Sequence, residues 1–217
     1  MKRILATSLI LISLTAVYGQ QMRFSVHADP QFSWFRSDEE HVTSDGAVFH
    51  LQTGVFMDLF FADNYAFAFG LGINNTGGNL AYADSTMIVS KSDTLFAIPG
   101  QSLKHRLQYI DLPVGLKLKT EELGYTTIFF QFGFNPMINI NAFTSSQDDT
   151  FHRESTRENT NLFNLGYHVG AGVEYRLGGS TALVGGVRWS SGLTDVTLND
   201  GAKITLNAIS IHLGVQF

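Results

Sequence analysis

The sequence predicts an all-β protein, an eight-stranded antiparallel up-and-down transmembrane β-barrel. The strongest signal lies at residues 65–74, where odd positions carry Tyr, Phe, Phe, Leu and Ile and even positions carry Ala, Ala, Gly, Gly and Asn. A period of two places successive side chains on opposite faces of a strand. A broad apolar face backed by small residues is expected where lipid lies outside and a narrow, crowded lumen lies inside. For this segment alone, a strand of a soluble β-sandwich is an alternative.

Composition favours the membrane. Only 15% of the 217 residues are charged, against about 25% in soluble domains. The chain has 14 basic and 19 acidic residues, a net charge of −5, which argues against a nucleic-acid partner. It contains no cysteine, which excludes disulfides, a lipoprotein anchor and thiol catalysis.

The N-terminus is predicted to be an export signal over residues 1–19. Lys2 and Arg3 precede an apolar run from Ile4 to Val17, and small residues stand before a cut after Gly19. A membrane-anchoring helix is the alternative. Residues 20–217 then form the barrel domain, with 12 basic and 19 acidic residues and a net charge of −7.

Eight segments alternate with a period of two and have about the 9–11 residues that a membrane strand needs. They are residues 24–35, 49–60, 65–74, 107–119, 128–135, 162–177, 183–190 and 209–217. Short polar or glycine-rich turns join three pairs of them. These turns are residues 61–64, 120–124 and 178–180. Asp, Asn and Gly supply the backbone conformations that such turns require.

The other four connections are long: residues 36–48, 75–104, 139–160 and 191–203. Within the second, residues 86–89 and 94–98 are predicted to pair as a short hairpin. Long connections alternating with short turns are typical of outer-membrane barrels, which have short periplasmic turns and long external loops. The sequence therefore predicts the outer membrane of a Gram-negative bacterium, with the long loops extracellular and the N-terminus periplasmic.

A lipocalin-like soluble barrel would share this periodicity. The two faces differ in composition, however. One carries Phe, Tyr, Trp, Leu, Ile and Val in nearly every strand, and the other mixes Gly and Ala with charged residues and His. Turned inward, the glycines leave room for the charged side chains, whereas turned outward they would leave a soluble surface bare. The apolar face is therefore predicted to face lipid.

Two segments resemble a known family. Residues 109–117 read Tyr-Ile-Asp-Leu-Pro-Val-Gly-Leu-Lys, which is similar to the Tyr-x-acidic-apolar-Pro-x-x-x-Lys strand of Bacteroidetes-type outer-membrane β-barrel proteins, often labelled PorT-like or porin family. Residues 170–175, Gly-Ala-Gly-Val-Glu-Tyr, resemble that family's Gly-x-Gly-x-Glu-aromatic strand. The resemblance implies an eight-stranded outer-membrane barrel. It does not imply one activity, although a founding member takes part in type IX secretion.

Charged residues of the lumen face are predicted to form a layer near the periplasmic end, with two more charges higher up. The layer comprises Asp58, Lys117, Glu174 and Arg176, and the higher charges are Asp111 and Arg188. Eight strands leave an interior that side chains just fill, and buried charges must be paired. A polar plug is the favoured interpretation, and a narrow ion path is the alternative.

No catalytic, cofactor or metal site is predicted. His27, His50, His168 and His212 all have lumen parity, and no Ser-His-acid triad follows from spacing. The expected function is non-enzymatic: a structural, surface-binding or envelope-assembly protein. The alternatives are an accessory role in type IX secretion and a lipid-modifying enzyme.

The expected partners are outer-membrane lipid, an envelope protein bound through the long loops, and the outer-membrane assembly machinery. Alternating apolar residues run to the end of the chain at Leu213, Val215 and Phe217. This pattern resembles the C-terminal signal that the assembly machinery reads.

Overall fold

The computed structural model describes residues 21–38, 42–83, 86–89, 94–97, 102–146, 154–157, 160–197 and 203–217. The signal predicted for residues 1–19 lies outside these ranges. Within them, no helix is long and apolar enough to cross a membrane.

The described residues form thirteen strands. They are β1 (Met22–Ser37), β2 (Val42–Ser44), β3 (Val48–Ala62), β4 (Tyr65–Tyr82), β5 (Thr86–Val89), β6 (Thr94–Ala97), β7 (Ser102–Asp111), β8 (Val114–Lys119), β9 (Thr126–Ser146), β10 (Glu154–Ser155), β11 (Phe163–Gly178), β12 (Thr181–Gly192) and β13 (Ile204–Gln216).

The long strands close into an antiparallel ring of eight members. The order around the ring is β1, β3, β4, β7 with β8, β9, β11, β12 and β13, and β13 pairs back onto β1. β7 and β8 form one member, which is interrupted at Leu112 and Pro113, and a proline has no backbone N–H for the ladder. Phe217 donates its backbone N–H to the carbonyl of Phe24 at 2.8 Å, which completes the closure. The predicted fold class is confirmed.

The outer face of the ring is an apolar belt, and side chains of opposite parity fill the interior. On β13, Ile209, Ile211, Leu213 and Val215 are 42–53% exposed, whereas Ser210, His212 and Gln216 between them are at most 5% exposed. The same alternation holds on β1, β3 and β11. The faces are therefore oriented as the composition predicts.

Three of the four predicted long loops are shorter than expected. β4 continues to Tyr82, β7 begins at Ser102 and β9 continues to Ser146, while β2 lies inside the first loop. The prediction was wrong at these edges because the strands carry on past the apolar belt. The hairpin predicted in the second loop is present, since β5 pairs with β6.

These continuations form an extracellular extension of the barrel wall. β9 is 21 residues long. At about 3.3 Å per residue and a tilt of about 40°, it climbs roughly 50 Å, about twice the roughly 25 Å of a membrane barrel's apolar band. The upper half of this wall therefore stands in water.

The extracellular extension has an apolar core, whereas the lumen below it is filled by polar and charged side chains. Its buried residues are Phe35, Leu80, Tyr82, Leu103, Leu107, Tyr109, Met137, Ala142, Val196, Ile204 and Leu206. Water outside the wall favours apolar residues inside it, as in a soluble barrel.

His105 lies beside this core between the hydroxyls of Tyr82 (3.3 Å) and Thr144 (2.9 Å), and burial lowers the pKa of His105 to about 4. The imidazole is therefore neutral at pH 7.

In the membrane-spanning wall, four pairs of glycines face each other across adjacent strands. They are Gly54 with Gly72, Gly115 with Gly133, Gly166 with Gly192, and Gly172 with Gly186. All have lumen parity, and an added Cβ would meet neighbouring backbone: on Gly133 it would lie 2.2 Å from the carbonyl oxygen of Val114. These pairs let the wall curve tightly and leave interior space for large side chains.

Candidate functional site

The barrel interior contains an ion-pair network near its periplasmic end. Lys117 Nζ on β8 lies 2.6 Å from Asp58 Oδ2 on β3 and 2.7 Å from Glu174 Oε1 on β11. Their side chains are 6%, 4% and 3% exposed, respectively. Lys119 on β8 binds the second oxygen of Glu174. Two lysines and two carboxylates thus form a network without net charge across the barrel.

Neighbouring side chains complete this network. Gln216 donates from Nε2 to Asp58 Oδ2 at 3.1 Å, and Lys117 Nζ lies 4.9 Å from the ring centroid of Phe129. Buried charges are tolerated only when they are paired and hydrogen-bonded, and these groups meet that condition. The network therefore occupies the lower lumen as a fixed structural layer.

The middle layer is built around Asp29 on β1. Its Oδ2 lies 2.7 Å from His212 Nδ1 and 3.8 Å from Arg188 Nη1, and its Oδ1 accepts the backbone N–H of Leu213 at 3.0 Å. Arg188 Nη2 lies 3.4 Å from His212 Nε2, and the ring of His27 stacks on His212 at 4.0 Å.

His27, Asp29 and His212 are residue types that ligate metals, and one ligand atom of each lies within 4.8 Å of the others. The guanidinium of Arg188 already supplies a positive charge beside Asp29 and His212. A cation at the same place would be repelled by Arg188 and would have to displace it. The geometry therefore fits a hydrogen-bonded cluster better than a metal centre.

The same layer contains a serine–histidine pair. Ser25 Oγ lies 2.7 Å from His27 Nε2. A nucleophilic triad needs an acid on the other imidazole nitrogen, whereas the nearby Asp29 is bonded to His212. Ser25 and His27 are 4% and 5% exposed inside the lumen. The pair has neither the acid partner nor the access to substrate that catalysis requires.

The upper layer is held by neutral amides around Asp111. Gln52 donates to Asp111 Oδ2 at 2.6 Å, and Asn135 Nδ2 lies 3.1 Å from Oδ1. Asn135 Oδ1 lies 2.5 Å from His168 Nδ1. A cavity beside this layer, lined by Gln52, Asn135 and Arg188 among others, has a volume of about 20 Å³. That is room for about one water molecule.

Of the predicted lumen layer, the structure brings together Asp58, Lys117 and Glu174. Arg176 does not join them: its side chain is 49% exposed and it pairs with Glu122 at 2.8 Å. The prediction for Arg176 was wrong because the residue lies two positions before the Gly178 turn, at the open periplasmic mouth. Lys119 takes the place beside Glu174 instead.

Asp111 and Arg188 do lie above this layer, but in two separate clusters. Asp111 is hydrogen-bonded to Gln52 and Asn135, whereas Arg188 lies beside Asp29. The sequence interpretation did not single out Asp29 or Gln52 as those partners. Parity placed both residues in the lumen, and only the register between strands shows which side chains meet. At the C-terminal end, Leu213, Val215 and Phe217 are 42–54% exposed on the outer face.

An eight-membered ring with an apolar outer belt and a charged, filled lumen defines a small transmembrane β-barrel. The chain belongs to the family of outer membrane protein beta-barrel domains, whose model matches residues 18–198. It is therefore a protein of the outer membrane.

Several solved structures are similar to this chain at low sequence identity. Neisserial surface protein A (NspA) is 12% identical, with 89% of this chain and 95% of that chain covered and a TM-score of 0.50. The attachment invasion locus protein Ail of Yersinia pestis is 12% identical over 92% and 99%, with a TM-score of 0.44. The outer membrane protease OmpT of Escherichia coli is 8% identical over 90% and 96%, with a TM-score of 0.48. No curated protein matches the sequence. The likeness to NspA shows the fold and leaves the activity open.

Proposed function

We propose that this protein is a non-conducting, non-enzymatic outer-membrane barrel that acts by binding an envelope or extracellular partner through its extracellular extension. The observation that carries the proposal is the filled interior: charged and amide layers occupy the membrane-spanning lumen, and an apolar core occupies the extension above them. Because the interior is filled at both levels, a partner binds to the surface of the barrel and not inside its lumen.

The lower and middle layers support the non-conducting part of this proposal. Ions would have to displace Lys117 from two carboxylates and then Arg188 from Asp29, all of them nearly fully buried. Breaking a buried pair typically costs about 3–5 kcal/mol. Eight strands also give a lumen that side chains just fill, in contrast to larger porins.

The extracellular extension supports the binding part. Its wall is held by strand pairing among β4, β7 and β9, and β2 pairs with the upper end of β4. A rigid wall with its own core presents outward side chains at fixed positions, which lowers the entropy lost on binding. The connections from β1 to β3, from β4 to β7, from β9 to β11 and from β12 to β13, where the sequence predicts the long loops, begin at this same end of the barrel.

Burial of the Ser, His and Asp residues of the middle layer supports the non-enzymatic part. Ser25, His27, Asp29 and His212 all lie inside the membrane-spanning lumen and are at most 5% exposed.

The resemblance of residues 109–117 to PorT-like barrels supports a Bacteroidetes-type relationship. A role in envelope assembly or secretion is one form that the partner binding takes.

Site-specific photo-crosslinking in native outer membranes tests the proposal. A crosslinking amino acid at Thr43 or Arg157, both exposed on the extracellular side, is expected to yield one discrete protein adduct. The matched control is Val187 on β12, which is 57% exposed on the lipid-facing belt and is expected to yield none. Absence of adducts from both extension positions, or the same adduct from Val187, contradicts binding through the extension.

A further inference from the structure

The outer surface has a notch where the barrel wall separates. Pairing between β3 and β4 ends at Gln52 and Asn74. Beyond that point β4 bends toward β1, and the hydroxyl of Ser33 bonds both the N–H of Gly77 (3.0 Å) and its carbonyl (2.7 Å). The outer notch left by this bend has a volume of about 190 Å³. Its lining includes His50, Asn75, Arg106, Gln108, Asn141 and Phe143.

The floor of the outer notch is a ladder of side-chain amides. Asn141 Nδ2 donates to Gln108 Oε1 at 2.9 Å, and Gln108 Nε2 donates to Asn75 Oδ1 at 3.0 Å. Asn75 Nδ2 donates to the carbonyl of Leu51 at 3.0 Å. Each amide nitrogen carries a second hydrogen beyond the one used in this ladder. These hydrogens are suited to an acceptor such as a phosphate oxygen.

Cationic side chains stand above the ladder. Arg106 is exposed on β7 between Gly77 and Phe143, and Lys104 follows one outward position higher. Among the residues that the structure describes, none that lines the outer notch is acidic. Guanidinium and ammonium groups above amide donors form a site for an anion, and Arg is well suited to phosphate.

The level of the outer notch identifies the kind of anion. Directly below the ladder, the outward row on β4, β7 and β9 is Ile73, Ile110 and Ile138, which belongs to the apolar belt. The ladder therefore marks the boundary between acyl chains and headgroups in the outer leaflet. We propose that the outer notch binds the phosphate of an outer-leaflet glycolipid, with Arg106 and Lys104 on the phosphate, the amide ladder below it and an acyl chain along the isoleucine row. This site is separate from the partner binding proposed above.

Native mass spectrometry of the refolded protein in detergent tests the site, with lipid A carrying two phosphates as the probe. Wild-type protein is expected to bind it more tightly than dephosphorylated lipid A. The double variant Lys104→Gln/Arg106→Gln is expected to bind at least about tenfold more weakly, the loss of roughly one charge-assisted hydrogen bond. The charge-preserving variant Lys104→Arg/Arg106→Lys is expected to retain most of the affinity.

The matched control is Arg36→Gln/Lys203→Gln, which removes two exposed charges from the extracellular ends of β1 and β13. It is expected to bind lipid A as the wild type does. An equal loss in both double variants, no loss in either, or no preference of the wild type for phosphorylated lipid overturns the site. Displacement of lipid A by an equal concentration of inorganic phosphate overturns the assignment to a lipid headgroup.

Discussion

Lys117→Met is expected to lower the free energy of unfolding by about 3–5 kcal/mol, since removing one partner of a buried charge pair leaves the other charge without compensation. The effect belongs at the upper end of that range because Lys117 contacts both Asp58 and Glu174, at 2.6 and 2.7 Å. Lys119 still pairs with Glu174 in the variant, whereas Asp58 keeps only Gln216. The readout is the urea midpoint in lipid vesicles, followed by tryptophan fluorescence.

The matched control is Lys203→Met, which removes the same charge from an exposed residue and is expected to shift the midpoint little. Asp58→Asn and Glu174→Gln are expected to destabilise less than Lys117→Met, because each leaves Lys117 with one carboxylate. If Lys117→Met unfolds at the same urea concentration as Lys203→Met, the lumen network does not stabilise the barrel.

Gly133→Ala is expected to impair folding severely. Its added Cβ would lie 2.2 Å from the carbonyl oxygen of Val114 and 2.5 Å from the Cα of Gly115. Both atoms belong to the backbone, so the strands themselves must move apart. Overpacking of this kind costs about 1–3 kcal/mol, and more where the backbone cannot yield. The measurement is the folded fraction after refolding into vesicles, read from heat-modifiable gel mobility.

Gly185→Ala provides the control for Gly133→Ala. Gly185 has outward parity on β12, and an added Cβ there meets nothing within 4 Å. It is expected to refold as well as the wild type, because the substitution adds the same methyl group without a clash. Equal refolding of the two variants would show that the facing glycine pairs are not needed for the curvature of the wall.

The membrane-spanning part of the barrel could be predicted from the sequence because lipid enforces a simple rule. Most outward residues at that level are apolar, so a period of two gives both the strands and their faces. The extracellular extension was missed because the rule reverses where water replaces lipid. Leu80, Leu103 and Leu107 lie inside there, and Arg106 and Gln108 lie outside. When the apolar residues of a strand move from its outer face to its inner face, the segment as a whole has the mixed composition that is typical of a loop.

The lumen network was partly predictable for a related reason. Parity and distance from a turn placed Asp58, Lys117 and Glu174 at one level, and they meet there. The same reasoning failed for Arg176 because this residue lies two positions before the Gly178 turn, where its side chain reaches solvent and pairs with Glu122. It also gave no partner for Arg188, because Asp29 is distant in sequence and becomes its neighbour only through the pairing of β1, β13 and β12.

A closed interior is the property on which the proposed function depends, and single-channel recording in planar bilayers measures it. Purified, refolded protein is expected to show no large, steady conductance, because the layers around Lys117, Asp29 and Asp111 and the apolar core above them fill the interior. A reproducible open channel that passes small sugars would show that the interior is open.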